Sequence, residues 1–163
     1  MLLESIEELK STNGKLKFYI AGDGKEEEIK NLKLLIMEKK LTEQVIFFGR
    51  ADEKNKLELY KNAQAVIIPS RFETFSNVAL ETLGSGKQLI CFDIPGLSWI
   101  PNDLAIKAPK ISSKKLTHSI LKFLDENKNY SLIADNSRSF AKNFTWDRAA
   151  EGYYKVFKKV SKK

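Results

Sequence analysis

The sequence predicts an α/β fold: a parallel sheet of about five strands with helices on both faces and a helical C-terminal end. Three observations carry that reading. Short apolar runs alternate with stretches of helical period as far as residue 107. Within the runs apolar residues follow one another directly, the pattern of strands covered on both faces. Beyond residue 112 the alternation stops and only helical periodicity remains.

The elements follow in order. Residues 1–10 are amphipathic and carry Glu4, Glu7 and Glu8, which excludes a signal peptide. Residues 17–21 (K-F-Y-I-A) form a strand running into a tight loop at Gly22. Residues 26–40 place Ile29, Leu32, Leu35 and Ile36 at helical spacing. Residues 44–48 (Q-V-I-F-F) form the next strand, stopped by Gly49. The helical period returns over 53–62 with Leu57, Leu59 and Tyr60. Residues 65–68 (A-V-I-I) form a strand closed by Pro69. Residues 77–85 make a helix with Gly84 and Gly86 as its punctuation. Residues 88–93 form a strand ended by Pro95 and Gly96, and 104–107 a weak one. Helices over 112–126, 131–143 and 146–159 close the chain. Ser112 is placed to cap the first, and Asp147 lies in the first turn of the last, where negative charge suits the helix dipole.

A length of 163 residues fits a single domain over 1–163, with no linker or repeat to divide it. Hydrophobic residues at 42% and charged residues at 30% exclude disorder and a disulfide scaffold. No run is long and apolar enough to span a membrane, so a cytoplasmic location is expected. The lone Cys91, inside an apolar run, reads as a small buried hydrophobe. The net charge of +7 comes mostly from scattered lysines, apart from a tail cluster at Lys155, Lys158, Lys159, Lys162 and Lys163. Lysines on solvated helix faces explain it; nucleic-acid phosphates, an anionic membrane or a phosphorylated substrate are the alternatives.

In parallel sheets, ligands bind beyond the C-terminal strand ends. The loops 22–25, 49–52, 69–76 and 93–98 therefore share one rim. Familiar site motifs fail there. Gly22-Asp23-Gly24 lacks the third glycine of a dinucleotide loop, and Gly24-Lys25-Glu26 and Gly86-Lys87-Gln88 are no Walker loops. The only histidine, His118, has no second His or Cys to make a zinc site and reads as a helix-surface residue. Two glycosylation sequons, at Asn129 and Asn143, read as chance.

One constellation remains, from Pro69 to Glu81. A strand ends at Pro69, a loop crosses the rim, and a helix starts near Ser76. The backbone amides of Phe75, Ser76 and Asn77 would point outward at a helix N-terminus, where a phosphate is stabilised. Glu73 and Glu81 flank this place. Carboxylates repel phosphate, so these two suit neutral hydroxyl groups. Phosphate plus several hydroxyls describes a nucleotide sugar. The opposing reading leaves both glutamates as solvated surface acids.

The string P-S-x-x-E-T-F-S-N-V-A-L-E-T-L-x-S-G resembles the E-x7-E signature of retaining GT-B glycosyltransferases of the family 4, or group 1, type. The framework is similar too: residues 16–24 to a strand and glycine loop, Val45 to Ala63 to "V-x-F-x-G … L-Y-x-x-A", and Phe144-Thr145-Trp146 to "F-S/T-W" before a closing helix. The resemblance spans nearly the whole chain. It implies a Rossmann-like donor domain, the C-terminal half of a GT-B enzyme.

The resemblance also implies roles. Glu81 would bind the ribose hydroxyls of a UDP- or GDP-sugar, and Glu73 would face the sugar as the candidate catalytic contact. Thr74, Phe75, Ser76 and Asn77 would hold the diphosphate, Gly22 and Gly24 would allow its close approach, and Gly49 and Arg50 would meet the base. It implies a retaining hexosyltransferase with no cofactor and no metal, serving a glycan or lipid-linked acceptor in polysaccharide, lipopolysaccharide or capsule synthesis. The setting would be the cytoplasm or the inner face of the cytoplasmic membrane, with peripheral membrane contact and no nucleic acid.

Two departures stand out. No acidic residue follows the 95–101 loop before Asp103. The family's donor domain also opens with a strand and loop bearing an Arg and a Lys, whereas this chain begins inside the next helix. The N-terminal acceptor domain is absent too, so the isolated chain is expected to be inactive. The alternatives are a sugar-nucleotide epimerase, which normally brings active-site histidines, and a non-catalytic module binding nucleotide or nucleic acid.

Overall fold

The computed structural model describes residues 1–125 and 130–161. In chain order it contains α1 (Leu2–Thr12), β1 (Phe18–Ala21), α2 (Glu26–Glu38), β2 (Val45–Gly49), α3 (Glu53–Asn62), β3 (Ala65–Ile68), α4 (Asn77–Gly84) and β4 (Gln88–Phe92). A one-turn 3-10 helix (Pro95–Leu97) leads to β5 (Ala105–Ala108), α5 (Ser113–Asp125), α6 (Tyr130–Ala141) and α7 (Trp146–Val160). Every strand and helix expected from the sequence is present. The Glu126 end of the expected 112–126 helix, Asn129 of one sequon, and Lys162 and Lys163 of the tail cluster lie outside the described residues. No helix among the described residues is long and apolar enough to cross a membrane.

Side-chain caps explain several helix starts. Asp52 accepts the Asn55 amide at 2.7 Å. Ser112 accepts the Lys115 amide at 3.2 Å, as its position suggested. Thr145 accepts the Arg148 amide at 3.3 Å. Each satisfies a donor that the first helical turn leaves free, typically a contribution of about 1 kcal/mol.

The strands are all parallel, but they do not form one sheet. They form two ladders, β2-β1 and β3-β4-β5, and among the described residues no strand pairing joins β1 to β3. The expectation of uniformly buried strands is corrected as well. Only β4 is buried throughout; β1 alternates between half-buried and exposed, with Tyr19 57% exposed. A strand lacking a neighbour on one edge cannot be enclosed as the sequence pattern alone implies.

The core gathers on β4. Leu89, Ile90, Cys91 and Phe92 pack with Ala79 and Leu83 of α4, with Leu97 and Ile100, and with Leu116 and Ile120 of α5. Burying such side chains contributes about 1.5–3 kcal/mol each. A second cluster joins Leu3 and Ile6 of α1 to Ile36 of α2, Leu41 and Val45. Leu9 of α1 reaches the first cluster instead, so α1 bridges both ladders.

Contacts fix the layers. α1 packs on α5, where Ser5 donates to the Ser113 carbonyl at 2.9 Å and Thr117 donates to Glu8 at 2.9 Å. Hence α2, α1 and α5 share one face. α4 and α5 both lie on β4 without packing substantially on one another, so they occupy opposite faces. α4 is accompanied by α6 and, through side chains of Glu81, by α3.

Candidate functional site

The rim loops meet in two groups. At the ends of β1 and β2, the Gly22 amide donates to the Gly49 carbonyl at 2.9 Å. Gly49 has φ of 78°, which a residue with a β-carbon adopts only under strain. Beyond it Arg50 approaches Asp23 at 3.8 Å, both side chains being exposed. The Gly24 amide turns back to the Asp23 carboxylate at 2.9 Å. Gly22, Gly24, Gly49 and Arg50 are thus brought together at the ends of β1 and β2. A β-carbon on Gly22 would meet nothing within 4 Å, so its freedom is towards open solvent at the rim.

The second group lies at the end of β3. Ser76 caps α4 from a left-handed backbone conformation with φ of 67°, its hydroxyl accepting the Ala79 amide at 3.4 Å. A positive φ at a non-glycine residue costs about 1–3 kcal/mol and persists only where surrounding contacts hold it. The amides of Phe75, Ser76 and Asn77 have no acceptor among the described residues. Thr74 and Asn77 are exposed and Glu73 is half-buried, with no ion-pair partner among the described residues.

The sequence reading missed what holds this loop. A β-carbon on Gly96 would overlap the Glu73 carbonyl oxygen, so the β4–β5 connection lies directly against the Glu73 backbone. Trp99 donates its indole N–H to the Phe75 carbonyl at 2.8 Å and stacks on the Phe75 ring with centroids 4.6 Å apart. Phe140 and Phe144 complete the cluster against Trp99. In the sequence Trp99 was visible only as part of the 95–101 loop, where an acid was sought.

Glu81 is not a free surface acid. It accepts from the Lys56 ammonium at 2.9 Å and from the Tyr60 hydroxyl at 3.0 Å, both on α3. Hydrogen bonding to Glu81, then to Glu53, holds Lys56 above the usual lysine range. Burial first, and the Glu81 carboxylate second, push the Tyr60 phenol far above its usual range. Lys56 and Tyr60 stand four residues apart on one helix face, a spacing that could have pointed to a shared partner. No hydrogen bond or ion pair joins the Gly22–Arg50 group to the loop of Glu73 among the described residues. Each group lies at the C-terminal strand ends of its own ladder.

A hollow of about 420 Å³, lined by Lys61, Gln64, Lys87 and Gln88, sits at the start of β3 and β4, away from this rim. No group of three His, Cys, Asp or Glu is arranged to hold a metal ion among the described residues.

The chain is similar to known proteins over most of its length. The family described as "Glycosyl transferases group 1" matches residues 1–140. The uncharacterized glycosyltransferase MJ1178 of Methanocaldococcus jannaschii is 25% identical over 146 residues, covering 88% of this chain and 41% of that protein. Among solved structures, a glycosyltransferase from Rickettsia africae superimposes with a TM-score of 0.84 at 21% identity, over 99% of this chain and 44% of its own. Anabaena Alr3699/HepE, solved in complex with UDP and glucose, gives 0.81 at 18% identity, over 96% and 43%. At such identities the structural likeness establishes the fold, a GT-B glycosyltransferase domain. The chain spans about two fifths of the curated relative's length.

Proposed function

We propose, from the premise that this chain belongs to the glycosyl transferases group 1 family, that its rim binds a nucleoside-diphosphate sugar and serves a retaining sugar transfer. The observation that carries this reading is the set of three unpaired amides at Phe75, Ser76 and Asn77, flanked by Glu73 and Glu81. Unpaired amides at a helix N-terminus stabilise a diphosphate through both donors and dipole. Glu81, held in place by Lys56 and Tyr60, accepts the ribose hydroxyls from a fixed position. Glu73 faces the donor sugar. Gly22, Gly24, Gly49, Arg50 and Thr74 complete the donor contacts.

As the sugar–phosphate bond breaks, negative charge grows on the departing diphosphate. Preorganised donors aimed at that charge lower the barrier. Backbone amides and cations supply it in this scheme, which calls for no metal. The UDP in the HepE structure supports a nucleotide donor. The acceptor, a glycan or lipid-linked sugar at the cytoplasmic side of a membrane, would be presented by a further domain.

Calorimetric titration of the chain with UDP, GDP and a DNA duplex tests the proposal. Saturable nucleotide binding, weakened in Glu81→Ala, is expected. DNA binding that falls steeply with salt, with no nucleotide binding, would identify a nucleic-acid module instead.

A further inference from the structure

The loop of Glu73 rests on the connection between β4 and β5, and that connection has a firm base. Ile94, Leu97 and Ile100 are buried along it. The Leu97 amide donates to Ile94 at 3.0 Å, Ser98 to Pro95 at 3.1 Å and Ile100 to Leu97 at 3.2 Å. The Lys107 ammonium donates to the Ile100 carbonyl at 2.6 Å. Trp99 projects from this base. Its ring lies nearly parallel to those of Phe75 and Phe140, at 17° and 11°, and Phe144 tilts against it at 4.9 Å. These ring contacts fix the indole plane, and with it the direction of the N–H.

That direction matters because a trans peptide holds its carbonyl and its N–H on opposite sides. No peptide bond among the described residues is cis. The Glu73 carbonyl faces Gly96, so the Thr74 amide is turned away from the β4–β5 connection. The Phe75 carbonyl accepts the Trp99 indole N–H at 2.8 Å, so the Ser76 amide is turned away as well. The Ser76 carbonyl accepts the Ala79 and Leu80 amides inside α4, so the Asn77 amide points back out of the helix. None of these three amides meets an acceptor among the described residues. The peptide between Phe75 and Ser76 has an alternative. Turning it over would carry Ser76 from its φ of 67° into the ordinary negative region and relieve its strain. The Phe75 carbonyl would then stand where the Ser76 amide now points. Turning it over also breaks the hydrogen bond from the indole.

We propose that Trp99 is a positioning residue for the donor: its indole N–H holds the Phe75–Ser76 peptide in the strained orientation that presents the Ser76 amide to a diphosphate. This rests on the donor reading above, and gives Trp99 a part played through the Phe75 backbone rather than through contact with the donor. A peptide whose carbonyl already accepts a hydrogen bond is polarised, so its N–H becomes a better donor. A loop already set in its binding form also avoids the loss of affinity that a partly populated competent state brings. Without the indole N–H, strain at Ser76 favours the turned peptide, and a carbonyl facing the diphosphate repels it. Ring stacking at position 99 does not replace the bond, since a phenyl ring offers no N–H donor.

Trp99→Phe tests this, together with a chain carrying benzothienylalanine at position 99, which keeps the size of the indole and lacks its N–H. The second chain decides the matter if Trp99→Phe does not fold. Titrations with UDP against uridine, and with GDP against guanosine, read the diphosphate apart from the nucleoside. Both variants are expected to bind the diphosphate at least ~10-fold more weakly, and the nucleoside as the wild type does. Residual dipolar couplings report the peptide itself. That of the Ser76 N–H is expected to change in both variants, while those of Leu89 to Phe92 stay. Unchanged diphosphate affinity or an unchanged Ser76 coupling in the benzothienyl chain overturns the proposal. Equal weakening of diphosphate and nucleoside overturns it too, as a loss of structure alone. A wild-type chain that binds neither nucleotide removes the donor reading, and the Ser76 coupling then decides by itself whether Trp99 sets the peptide.

Discussion

At the scale of single residues, the glutamates differ in their attachments. Glu81 works from a fixed position because Lys56 and Tyr60 grip it. Glu81→Ala should weaken nucleotide binding by about 1–3 kcal/mol, the range for hydrogen bonds to a charged group. It should cost the fold only about 0.2–1 kcal/mol, since the Lys56 pair is partly exposed. Calorimetry and urea unfolding of the same variant separate the two; unchanged affinity removes the ribose role. Gly96→Ala is expected to push the loop of Glu73 off its seat, with about 1–3 kcal/mol of overpacking strain and reduced nucleotide binding, measured in the same two assays. Cys91 is buried, and burial raises its thiol to about 11. A group raised on folding stabilises fully below its unfolded value and loses that contribution as pH climbs to the folded one. Urea stability should therefore drop by roughly 2–3 kcal/mol between pH 9 and 11 on this account alone. Cys91→Ala should show a shallower alkaline decline; equal slopes would refute the assignment.

At the scale of elements, α7 is the unusual member. It has no buried residue, and Trp146 is 91% exposed with Tyr153, Tyr154 and Phe157 also open. Trp146, Ala149, Ala150, Tyr153, Tyr154 and Phe157 make up a broad apolar face along it, and all six are exposed. Phe144 and Thr145 explain how α7 starts: the first enters the aromatic cluster around Trp99 and the second caps the helix. An apolar face of this kind marks an interaction surface. Weak self-association through it is expected by light scattering at high concentration, and Tyr153→Gln with Phe157→Gln should abolish it while leaving the melting temperature nearly unchanged. A wild-type chain that stays monomeric under those conditions would contradict this.

At the scale of the molecule, the chain spans two fifths of its curated relative. Losing one preorganised contact to a leaving diphosphate lowers a transfer rate by about 10²–10³, and a donor with no acceptor held beside it gains nothing from proximity. Residues 1–163 alone are therefore expected to transfer no sugar at enzyme rates, which a radiolabelled-donor assay can check. Acceptor glycosylation at ordinary rates would show that the chain is catalytically sufficient.

What the chain order alone determined was local in origin. Runs such as Gln88–Phe92, helical spacing, and punctuation at Gly22, Gly49 and Pro69 were enough for the elements, their sequence and the rim, because these depend on neighbours within a few residues. The run from Glu73 to Glu81 was legible for the same reason: its spacing lies within one loop and one helix. Tertiary structure alone decided the tether of Glu81 by Lys56 and Tyr60, the seat of Glu73 on Gly96, the anchor of Phe75 by Trp99, and the division of the sheet between β1 and β3. Each involves partners at least about twenty residues apart, or a missing partner. Local propensity and periodicity place a residue on a face, but only the packed chain determines what stands opposite it.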